Sequence, residues 1–440
     1  MYDTIFSPIT LTGPSAISVF RISGENSGVI LKLLTKSKEL PKERRQTLKK
    51  IYNPAFKEQV LDVCLICWMP KPYSFTGEDS FEISCHGGDS TSFAFIEALS
   101  KIKGLRFADA GEFSQRALIN GKLDLVEAEA INDIILAETE KQRLLSIKQL
   151  SKGLSIPINF WRKEMINVLS KVEATIDFSD EESIPDKIYF KEDLEKLIFQ
   201  IKDVLNEGDK VDLISNGTKV ALTGAPNTGK SSLFNYIIKT QKSIVTDIPG
   251  TTRDVVEKKV NYKGYQIIFS DTAGIRKTKD LVEKEGIKKA IKEIEAADIV
   301  LNIYDVTELV EKDRSSFWNI YNKIDKTKDT TLKEQFAGKN SFFVSAKTGE
   351  GVGQLIEAIY ENILIRTKEG GKEGYFYSNK RQRNNLEKVI VELKSAINEN
   401  SEEIIAEHLR SAIYNLERVL GKVDIEEVLG NIFSKFCIGK

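Results

Sequence analysis

The spacing of apolar residues changes along the chain, and each change indicates a different kind of structure. In the first segment, apolar residues alternate with polar ones or run together over strand lengths at Ile17–Ile22, Asp62–Trp68 and Ser80–Cys85. Stretches with helical spacing lie between these strands, near Ser27–Leu34 and Ser92–Ile102. We therefore expect an α+β domain at residues 1–117.

Helical spacing takes over at about residue 118 and continues to residue 214. Apolar residues there fall three or four positions apart, as at Leu123, Val126, Ala130, Ile131 and Ile134. The same spacing returns within residues 375–440 and predicts two more amphipathic helices, with apolar positions at Leu386, Val389, Ile390, Leu393 and Ile397, then Ile405, Leu409, Ile413, Leu416 and Leu420. Either segment alone would expose an apolar stripe to water, so we expect both to pack into one discontinuous helical bundle.

Short apolar strands followed by glycine-rich or charged loops fill the segment between the two helical parts. The strand Val220–Thr223 leads into Gly224–Ser231, which fits G-x-x-x-x-G-K-[ST], and a helix begins after it. In such a loop backbone N–H groups hold phosphates, Lys230 reaches the β- and γ-phosphates, and Ser231 ligates Mg²⁺. The alternative is an ordinary glycine-rich turn before a helix. The predicted nucleotide contacts from this loop are Asn227, Thr228, Gly229, Lys230, Ser231 and Ser232.

Motifs further along the chain favour the phosphate loop. The apolar run Ile267–Ser270 ends in Asp271, a carboxylate placed to support Mg²⁺, and the residues Thr272, Ala273 and Gly274 follow. Asn322, Lys323 and Asp325 form N-K-x-D, in which the carboxylate accepts the ring N–H and the exocyclic amine of guanine. Backbone support for the guanine oxygen is assigned to Ser345, Ala346 and Lys347. Together these motifs predict GTP binding by a Ras-like G domain with a doubly wound sheet, inserted into the bundle as residues 217–366.

Length and charge limit the other possibilities. A chain of 440 residues is long enough for roughly three domains. Its 64 Lys and Arg balance 65 Asp and Glu, so no global field attracts nucleic acid, and any RNA contact must use local patches. The N-terminus carries no charged-then-apolar signal, and no apolar run approaches 18 residues. We expect a cytoplasmic protein that does not enter a membrane.

Four cysteines occur, and two of them are spaced like a metal or redox pair. Cys64 and Cys67 form C-x-x-C, but no second pair or His follows at ligand spacing. Both lie within a strand-like apolar run, so we interpret them as buried structural thiols. A reduced cytoplasm fits this cysteine content.

The two ends of the chain carry further motifs. Those near the N-terminus are Tyr73–Asp79, Glu82, His86–Gly88, Gly111–Ala117, Asn120–Leu125 and Ala128–Ala130; the C-terminal one is Cys437-Ile438-Gly439-Lys440. In these residues the chain resembles the tRNA-modification GTPases MnmE, also called TrmE, over essentially its whole length. One departure lies at residues 9–16, where a single Gly stands in a stretch that is usually glycine-rich.

The resemblance implies a defined role. With an FAD-dependent partner, MnmG (GidA), the family builds a 5-carboxymethylaminomethyl-type group at C5 of the wobble uridine of certain tRNAs, drawing one carbon from 5-formyl- or methylene-tetrahydrofolate. It implies a homodimer formed by the N-terminal domains, and a heterotetramer with MnmG. By position, the folate contacts fall on Arg21, Glu82, Lys122 and Lys440.

The resemblance also implies how GTP is hydrolysed. Ile275 stands where Ras-like switches place a water-orienting Gln, so this role passes to Glu283. A K⁺ ion replaces the arginine finger, held by Asn227, Thr246, Ile248 and Thr251, and Thr252 joins Ser231 on Mg²⁺. Two G domains would pair over the loop, whose nucleotide-binding residues are Thr246, Asp247, Ile248, Pro249, Gly250, Thr251 and Thr252. Cys437 is either a nucleophile or redox thiol, or it packs at a domain contact, and the sequence leaves this open.

Two further alternatives remain. A GTP-switched ribosome-assembly factor would share the G domain, but no recognisable RNA-binding signature occurs in the chain. Local tRNA contacts are conceivable around Lys372, Lys380, Arg381 and Arg383, with the aromatic residues Tyr375–Tyr377 interleaved. The opposing interpretation is a solvated linker beside a helix start.

Overall fold

We describe the protein from a computed structural model. The residues it describes are 3–11, 13–56, 58–177, 188–240, 256–271, 291–308, 317–327, 336, 338, 340–367, 379–423, 432–433, 436 and 439. The chain forms two compact units, one made of Met1–Ile135, Gln149–Ile201 and Lys380–Lys440, the other of Leu136–Lys148 and Lys202–Asn379. The boundaries predicted at residues 1–117, 118–214, 217–366 and 375–440 stay predictions.

The first unit contains a six-stranded sheet. Its strands are β1 (Thr4–Pro8), β2 (Ser15–Ser23), β3 (Gln46–Tyr52), β4 (Val60–Met69), β5 (Ser80–Gly87) and β6 (Leu105–Phe107). They lie in the order β3-β4-β5-β2-β1-β6 and are antiparallel, except that β1 pairs parallel with β6. The predicted strands are confirmed as parts of β2, β4 and β5. Strands β1, β3 and β6 were missed, since β3 is a largely polar edge strand and β6 has only three residues.

Two helices cover one face of this sheet. They are α1 (Ser27–Thr35) and α2 (Asp89–Ser100), close to the predicted stretches. Phe20 and Phe95 stack with ring centroids 5.3 Å apart in the core between sheet and helices, and both are fully buried. Burial of aromatic and aliphatic side chains of this size is the main driving force for such a two-layer domain.

Helices make up the rest of the first unit. Five of the described helices with residues in it precede the nucleotide motifs: α3 (Glu112–Ile119), α4 (Leu125–Leu136), α5 (Glu140–Leu150), α6 (Ser155–Asp177) and α7 (Ile188–Ser215). Two more follow these motifs, α10 (Lys380–Asn398) and α11 (Glu402–Leu420); helices α8 and α9 belong to the second unit. Helices α10 and α11 pack along each other, and α11 packs on α6, where Arg162 reaches Glu417 at 2.6 Å. The expected discontinuous bundle is therefore confirmed. None of the helices in the described ranges is long and apolar enough to cross a bilayer.

The second unit is built on another six-stranded sheet. Its strands are β7 (Thr218–Thr223), β8 (Val256–Tyr262), β9 (Tyr265–Asp271), β10 (Ile299–Asp305), β11 (Trp318–Asn322) and β12 (Ser341–Phe343), and its own helices include α8 (Lys230–Thr240) and α9 (Val352–Thr367). The strand order is β12-β11-β10-β7-β9-β8, with every pairing parallel except β8 with β9. This is the predicted Ras-like, doubly wound sheet. Parallel pairing brings Asp271, Asp305 and Asn322 to one edge, because each ends a strand there.

A short helical segment belongs to this second unit although it precedes the G-domain motifs by some eighty residues. Glu138 accepts hydrogen bonds from Lys259 (2.8 Å) and Gln266 (2.5 Å) on the β8–β9 hairpin. Gln142 donates to the carbonyl of Ser215 at 2.9 Å, at the end of α7. These partly buried polar contacts attach residues 136–148 to the nucleotide-binding sheet.

Candidate nucleotide-binding site

Close backbone approach explains the first glycine of the phosphate loop. A Cβ atom on Gly224 would lie 2.2 Å from the carbonyl oxygen of Ile303 on the neighbouring strand β10, and Gly224 has φ +137°. Only glycine adopts this conformation without strain. The loop therefore turns directly against the sheet before helix α8 begins at Lys230.

The Lys230 ammonium lies inside the curve of this loop. Its Nζ donates to the carbonyls of Gly224 (2.9 Å) and Ala225 (2.6 Å), and the residue is only 8% exposed. The hydroxyl of Thr228 donates to the same Ala225 carbonyl at 3.0 Å. The positive charge and the N-terminal end of α8 thus face the same concave loop, as phosphate binding requires.

A hydroxyl and a carboxylate meet between the start of α8 and the end of β9. Ser231 Oγ donates to Asp271 Oδ2 at 2.8 Å. Asp271 is 6% exposed at the end of β9. An Oγ and a carboxylate oxygen at this distance are hard oxygen donors of the kind Mg²⁺ prefers, so the residues present fit the ion.

One buried amide joins the base-recognition and phosphate loops. Asn322 is 1% exposed; its Nδ2 donates to the Thr228 carbonyl at 2.8 Å and its Oδ1 accepts from the Ala346 N–H at 3.0 Å. A Cβ on Gly229 would lie 2.2 Å from this Nδ2, and Gly229 has φ +93°. The second glycine of the loop is therefore required by the packing of Asn322.

Asp325 is held ready for a base. Ser345 Oγ donates to Asp325 Oδ1 at 2.6 Å, and the Thr348 N–H donates to that Oγ at 3.1 Å. The hydrogen bond from Ser345 lowers the pKa of Asp325, and the charge of the exposed Lys347 nearby acts in the same direction. The carboxylate is ionised at neutral pH, and the hydrogen bond from Ser345 is made to Oδ1.

Sequence reasoning missed Asp305. This buried residue ends β10 and pairs with Lys323, whose Nζ also donates to the Asn227 carbonyl at 2.6 Å. The signal was available, because an apolar strand ending in an acidic residue was the pattern used for Asp271.

Several predicted residues lie outside the part of the chain that the structure describes. They are Thr246, Asp247, Ile248, Pro249, Gly250, Thr251, Thr252, Thr272, Ala273, Gly274, Glu283, Cys437 and Lys440. The described ones, from the phosphate loop, Asp271 and the two base-recognition motifs, come together at one edge of the sheet. Ser232 is exposed in the first turn of α8.

The predicted folate residues of the N-terminal domain are partly brought together. Arg21 and Glu82 face each other across β2 and β5, and Arg21 Nε and Nη2 donate to Glu82 Oε1 at 2.9 and 2.8 Å. The guanidinium lies 4.8 Å from the ring centroid of Phe75 and 5.6 Å from that of Phe113. Its Nη1 is buried without a hydrogen-bond partner among the described residues. Lys122 is exposed.

The C-x-x-C pair does not form a metal site. Residues three apart in a strand point to opposite faces, and accordingly Cys64 is buried while Cys67 is half-buried. Burial raises the pKa of both thiols. Within the described ranges no three His, Cys, Asp or Glu residues are grouped to hold a metal ion.

One residue considered for tRNA contact has a structural role in the fold. Arg381 forms a bidentate pair with Glu129, both bonds being 2.9 Å, and donates to the carbonyls of Arg418 and Val419 at the end of α11. These bonds use four of the five guanidinium N–H groups, which leaves little of Arg381 for phosphates, and a tRNA contact at this residue stays a prediction. Lys380 is exposed.

Comparisons with known proteins decide the family. Residues 4–122 match the profile described as the GTP-binding protein TrmE N-terminus, and residues 125–437 match the MnmE helical domain. The tRNA modification GTPase MnmE of Agrobacterium fabrum is 38% identical over 444 residues, covering 100% of this chain and 99% of the relative. The chain belongs to the MnmE family. MnmE of Fervidobacterium nodosum is 37% identical over 455 residues, covering 100% of this chain and 98% of the relative.

Among solved structures, the G domain of the T. maritima FeoB iron transporter is 28% identical and covers 34% of this chain and 99% of its own, with a TM-score of 0.25. Family membership rests on the profiles and the full-length MnmE relatives. The chain is thus a GTP hydrolase of the MnmE family with a Ras-like G domain, a TrmE N-terminal domain and a helical domain.

Proposed function

We propose that this protein uses GTP hydrolysis to drive modification of the wobble uridine of tRNA at C5. In this proposal it takes a one-carbon unit from 5-formyl- or methylene-tetrahydrofolate and acts with an FAD-dependent MnmG-type partner. The observation that carries the proposal is the joint match of both the N-terminal and the helical segments to the MnmE family, around an assembled guanine-nucleotide site. A ribosome-assembly GTPase would need the guanine-nucleotide site but not the N-terminal and helical segments of the MnmE family.

Within the G domain, GTP is positioned by groups already described. Loop N–H groups and Lys230 bind the phosphates, Asn322 fixes the loop, and Asp325 selects guanine. Ser231 and Thr252 would hold Mg²⁺, with the nearby Asp271 carboxylate supporting it, and the ion offsets negative charge on the phosphate oxygens when it is bound. Glu283 would orient the attacking water, because Ile275 has no polar side chain.

The proposed K⁺ ion would be held by Asn227 together with backbone oxygens of Thr246, Ile248 and Thr251. Asn227 is exposed, and no hydrogen bond engages its amide oxygen among the residues that the structure describes, so this oxygen suits a cation ligand. Its φ of +65° presents the backbone carbonyl to Lys323 and leaves the side chain outside that contact. Monovalent cation charge beside the phosphates would take the role of an arginine finger.

Folate binding is proposed at Arg21, Glu82, Lys122 and Lys440. The buried Nη1 of Arg21 is an unused donor among the described residues, beside Phe75 and Phe113. A flat conjugated ring with hydrogen-bonding edges suits such an arginine and its aromatic neighbours. Glu82 accepts both bonds from Arg21 through Oε1, which leaves Oε2 for an N–H edge. Cys437 remains either a reactive thiol or a packing residue.

Two G domains are proposed to pair across their nucleotides during hydrolysis, held close by dimerisation of the N-terminal domains. Tethering makes a weak G-domain contact sufficient, since it raises the effective concentration. The helical bundle would then relay opening and closing to the folate and tRNA sites.

The hydrolysis mechanism is tested by measuring GTP turnover in K⁺ and in Na⁺ at equal ionic strength, for wild type and Asn227→Ala. Wild type is expected to be much faster in K⁺, with Asn227→Ala losing this difference. Equal wild-type rates in both salts would rule out the cation mechanism, and normal turnover by Glu283→Ala would move the water-orienting role elsewhere.

The folate assignment has its own test. Calorimetric titration with 5-formyl-tetrahydrofolate is expected to show binding to wild type and none to Arg21→Ala. Absence of binding to wild type, with co-sedimentation on ribosomes, would favour the ribosome-assembly function.

A further inference from the structure

Asp305 is a buried carboxylate of the G domain with both oxygens engaged. It is 6% exposed at the end of β10, and its Oδ1 accepts from the Thr307 N–H (3.0 Å) and the Thr307 hydroxyl (2.7 Å). Its Oδ2 accepts from Lys323 Nζ. Burial disfavours the charged form, but the hydrogen bonds from Lys323 and Thr307 prevail and hold the pKa of Asp305 below its usual value.

Lys323 connects Asp305 to the phosphate loop. It lies in the N-K-x-D turn with φ +69°, and its Nζ donates to the carbonyl of Asn227 at 2.6 Å as well as to Asp305. Its Cε would be 3.9 Å from a Cβ placed on Gly229, so the methylene chain passes over the loop glycine. One ammonium therefore joins the end of β10, the base-recognition turn and the phosphate loop.

We propose that Asp305 is a positioning residue for guanine-nucleotide binding, acting by holding the Lys323 ammonium against the phosphate loop. An ammonium without this carboxylate would be free to leave Asn227, because a lysine has four rotatable methylene bonds and a carbonyl alone binds it weakly. The inference rests on the proposed guanine-nucleotide binding at this site. It adds a link between the base side and the residue proposed to bind K⁺.

An Asn at position 305 tests the charge with little change in shape. Thr307 donates twice to Oδ1, so the amide oxygen of Asp305→Asn would take that place and the amide N–H₂ would face Lys323. Two donors then face each other where an ion pair stood.

The same strand offers a matched control at its opposite end. Asp298 accepts from the Lys219 N–H at 2.9 Å and from Arg366 at 3.2 Å, and it lies just before β10, away from the nucleotide edge. Asp298→Asn removes a structural ion pair next to the start of β10 without touching the phosphate or base loops.

The experiment measures dissociation constants and off-rates of GDP and a non-hydrolysable GTP analogue on the full-length chain in K⁺. Asp305→Asn is expected to bind both nucleotides about 10- to 100-fold more weakly than wild type, mostly because it releases them faster. The dissociation constants of Asp298→Asn should stay within about twofold of those of wild type. Lys323→Met and Asp305→Asn are expected to be non-additive, since both break one contact. If Asp305→Asn binds as wild type does, or if the two changes add fully, the proposal is overturned.

Melting of the nucleotide-free variants guards against a folding defect. If Asp305→Asn does not fold, Thr307→Val is used, which keeps the ion pair with Lys323 but removes the hydroxyl that donates to Asp305. This variant is expected to lose less nucleotide affinity than Asp305→Asn. Unchanged affinity would overturn the proposal. Wild type that fails to bind guanine nucleotides would instead refute the proposed function. Wild type that binds, with unaffected Asp305→Asn, would refute only the role of Asp305.

Discussion

The guanine specificity proposed for the site depends on the orientation of one side chain, Asp325. Ser345 donates to Asp325 Oδ1, and Thr348 fixes the Ser345 oxygen from behind. In Asp325→Asn the same hydroxyl would donate to the amide oxygen, so the amide N–H₂ would face the base. Xanthine presents a carbonyl where guanine presents its amine, and the variant is therefore expected to prefer xanthosine nucleotides.

The size of this switch follows from two hydrogen bonds. Wild-type Asp325 can accept two bonds from guanine through an ionised oxygen, and each such bond corresponds to about a tenfold to hundredfold difference in affinity. Asp325→Asn should thus weaken GDP by about 10²- to 10⁴-fold. Binding of xanthosine diphosphate should improve by about 10- to 100-fold, since one bond to the base is restored.

Calorimetric titrations of wild type and Asp325→Asn with GDP and with xanthosine diphosphate provide the assay. Ser345→Ala is an informative companion, because without the orienting hydroxyl an Asn at 325 can present either face. The double variant is expected to lose the xanthosine preference. Unchanged GDP affinity in Asp325→Asn would show that the base site has been placed wrongly.

Three further predictions concern packing and charge. Gly229→Ala is expected to weaken nucleotide binding and lower stability by about 2 kcal/mol, because the methyl group would meet Asn322 Nδ2 at 2.2 Å and release the Thr228 carbonyl; calorimetry and thermal melting check this. Glu129→Gln should lower the free energy of unfolding by about 3 kcal/mol, measured by chemical denaturation, because Arg381 is left with carbonyl partners and no carboxylate. Burial, aided by the charge of Glu129, raises the pKa of Asp133 from 3.8 to about 6. The folded protein therefore binds this proton more tightly than the unfolded chain does, and its stability falls as the pH rises from about 4 through 6. The free energy of unfolding of Asp133→Asn, measured with urea, should therefore equal that of wild type near pH 4 and exceed it by about 1–2 kcal/mol at pH 7.5.

Each of these has a result that would contradict it. Gly229→Ala with wild-type melting would mean that Asn322 moves aside without loss. Glu129→Gln as stable as wild type would show that Arg381 finds a new partner. Equal pH dependence of wild type and Asp133→Asn would show that another group titrates between pH 4 and 6.

The sequence was most informative where a motif dictates backbone geometry. The glycines at 224 and 229, Lys230 and Asn322 were all predicted, because phosphate and guanine binding demand these residues at fixed spacing. Alternating or continuous apolar positions likewise predicted β2, β4 and β5; burial alternates along much of β4 and β5, whereas β2 is buried on both faces from Phe20 to Ser23. Strand β3 has polar residues on an exposed edge, so its pattern does not distinguish it from a loop.

Contacts between distant segments could not be predicted. Arg381 looked like part of a basic surface patch, and only folding brings Glu129 to it across 252 positions. Glu138 and Gln142 carried no motif, yet they attach a helical segment to the β8–β9 hairpin and to Ser215. Asp305 was overlooked although it ends an apolar strand, and its partner Lys323, in the turn after β11, reaches it only in the folded chain.

The central claim is that GTP hydrolysis by this chain serves tRNA modification, and nucleoside mass spectrometry of a reconstituted reaction tests it most directly. Purified chain, an MnmG-type partner with its FAD, unmodified tRNA, GTP, methylene-tetrahydrofolate and an amine donor (glycine or ammonium) are combined, and the wobble uridine is analysed. The account predicts a C5-modified uridine with wild type and none with Lys230→Ala, whose phosphate loop lacks its cation. Unmodified uridine with a wild-type chain that hydrolyses GTP and binds its partner would contradict the claim.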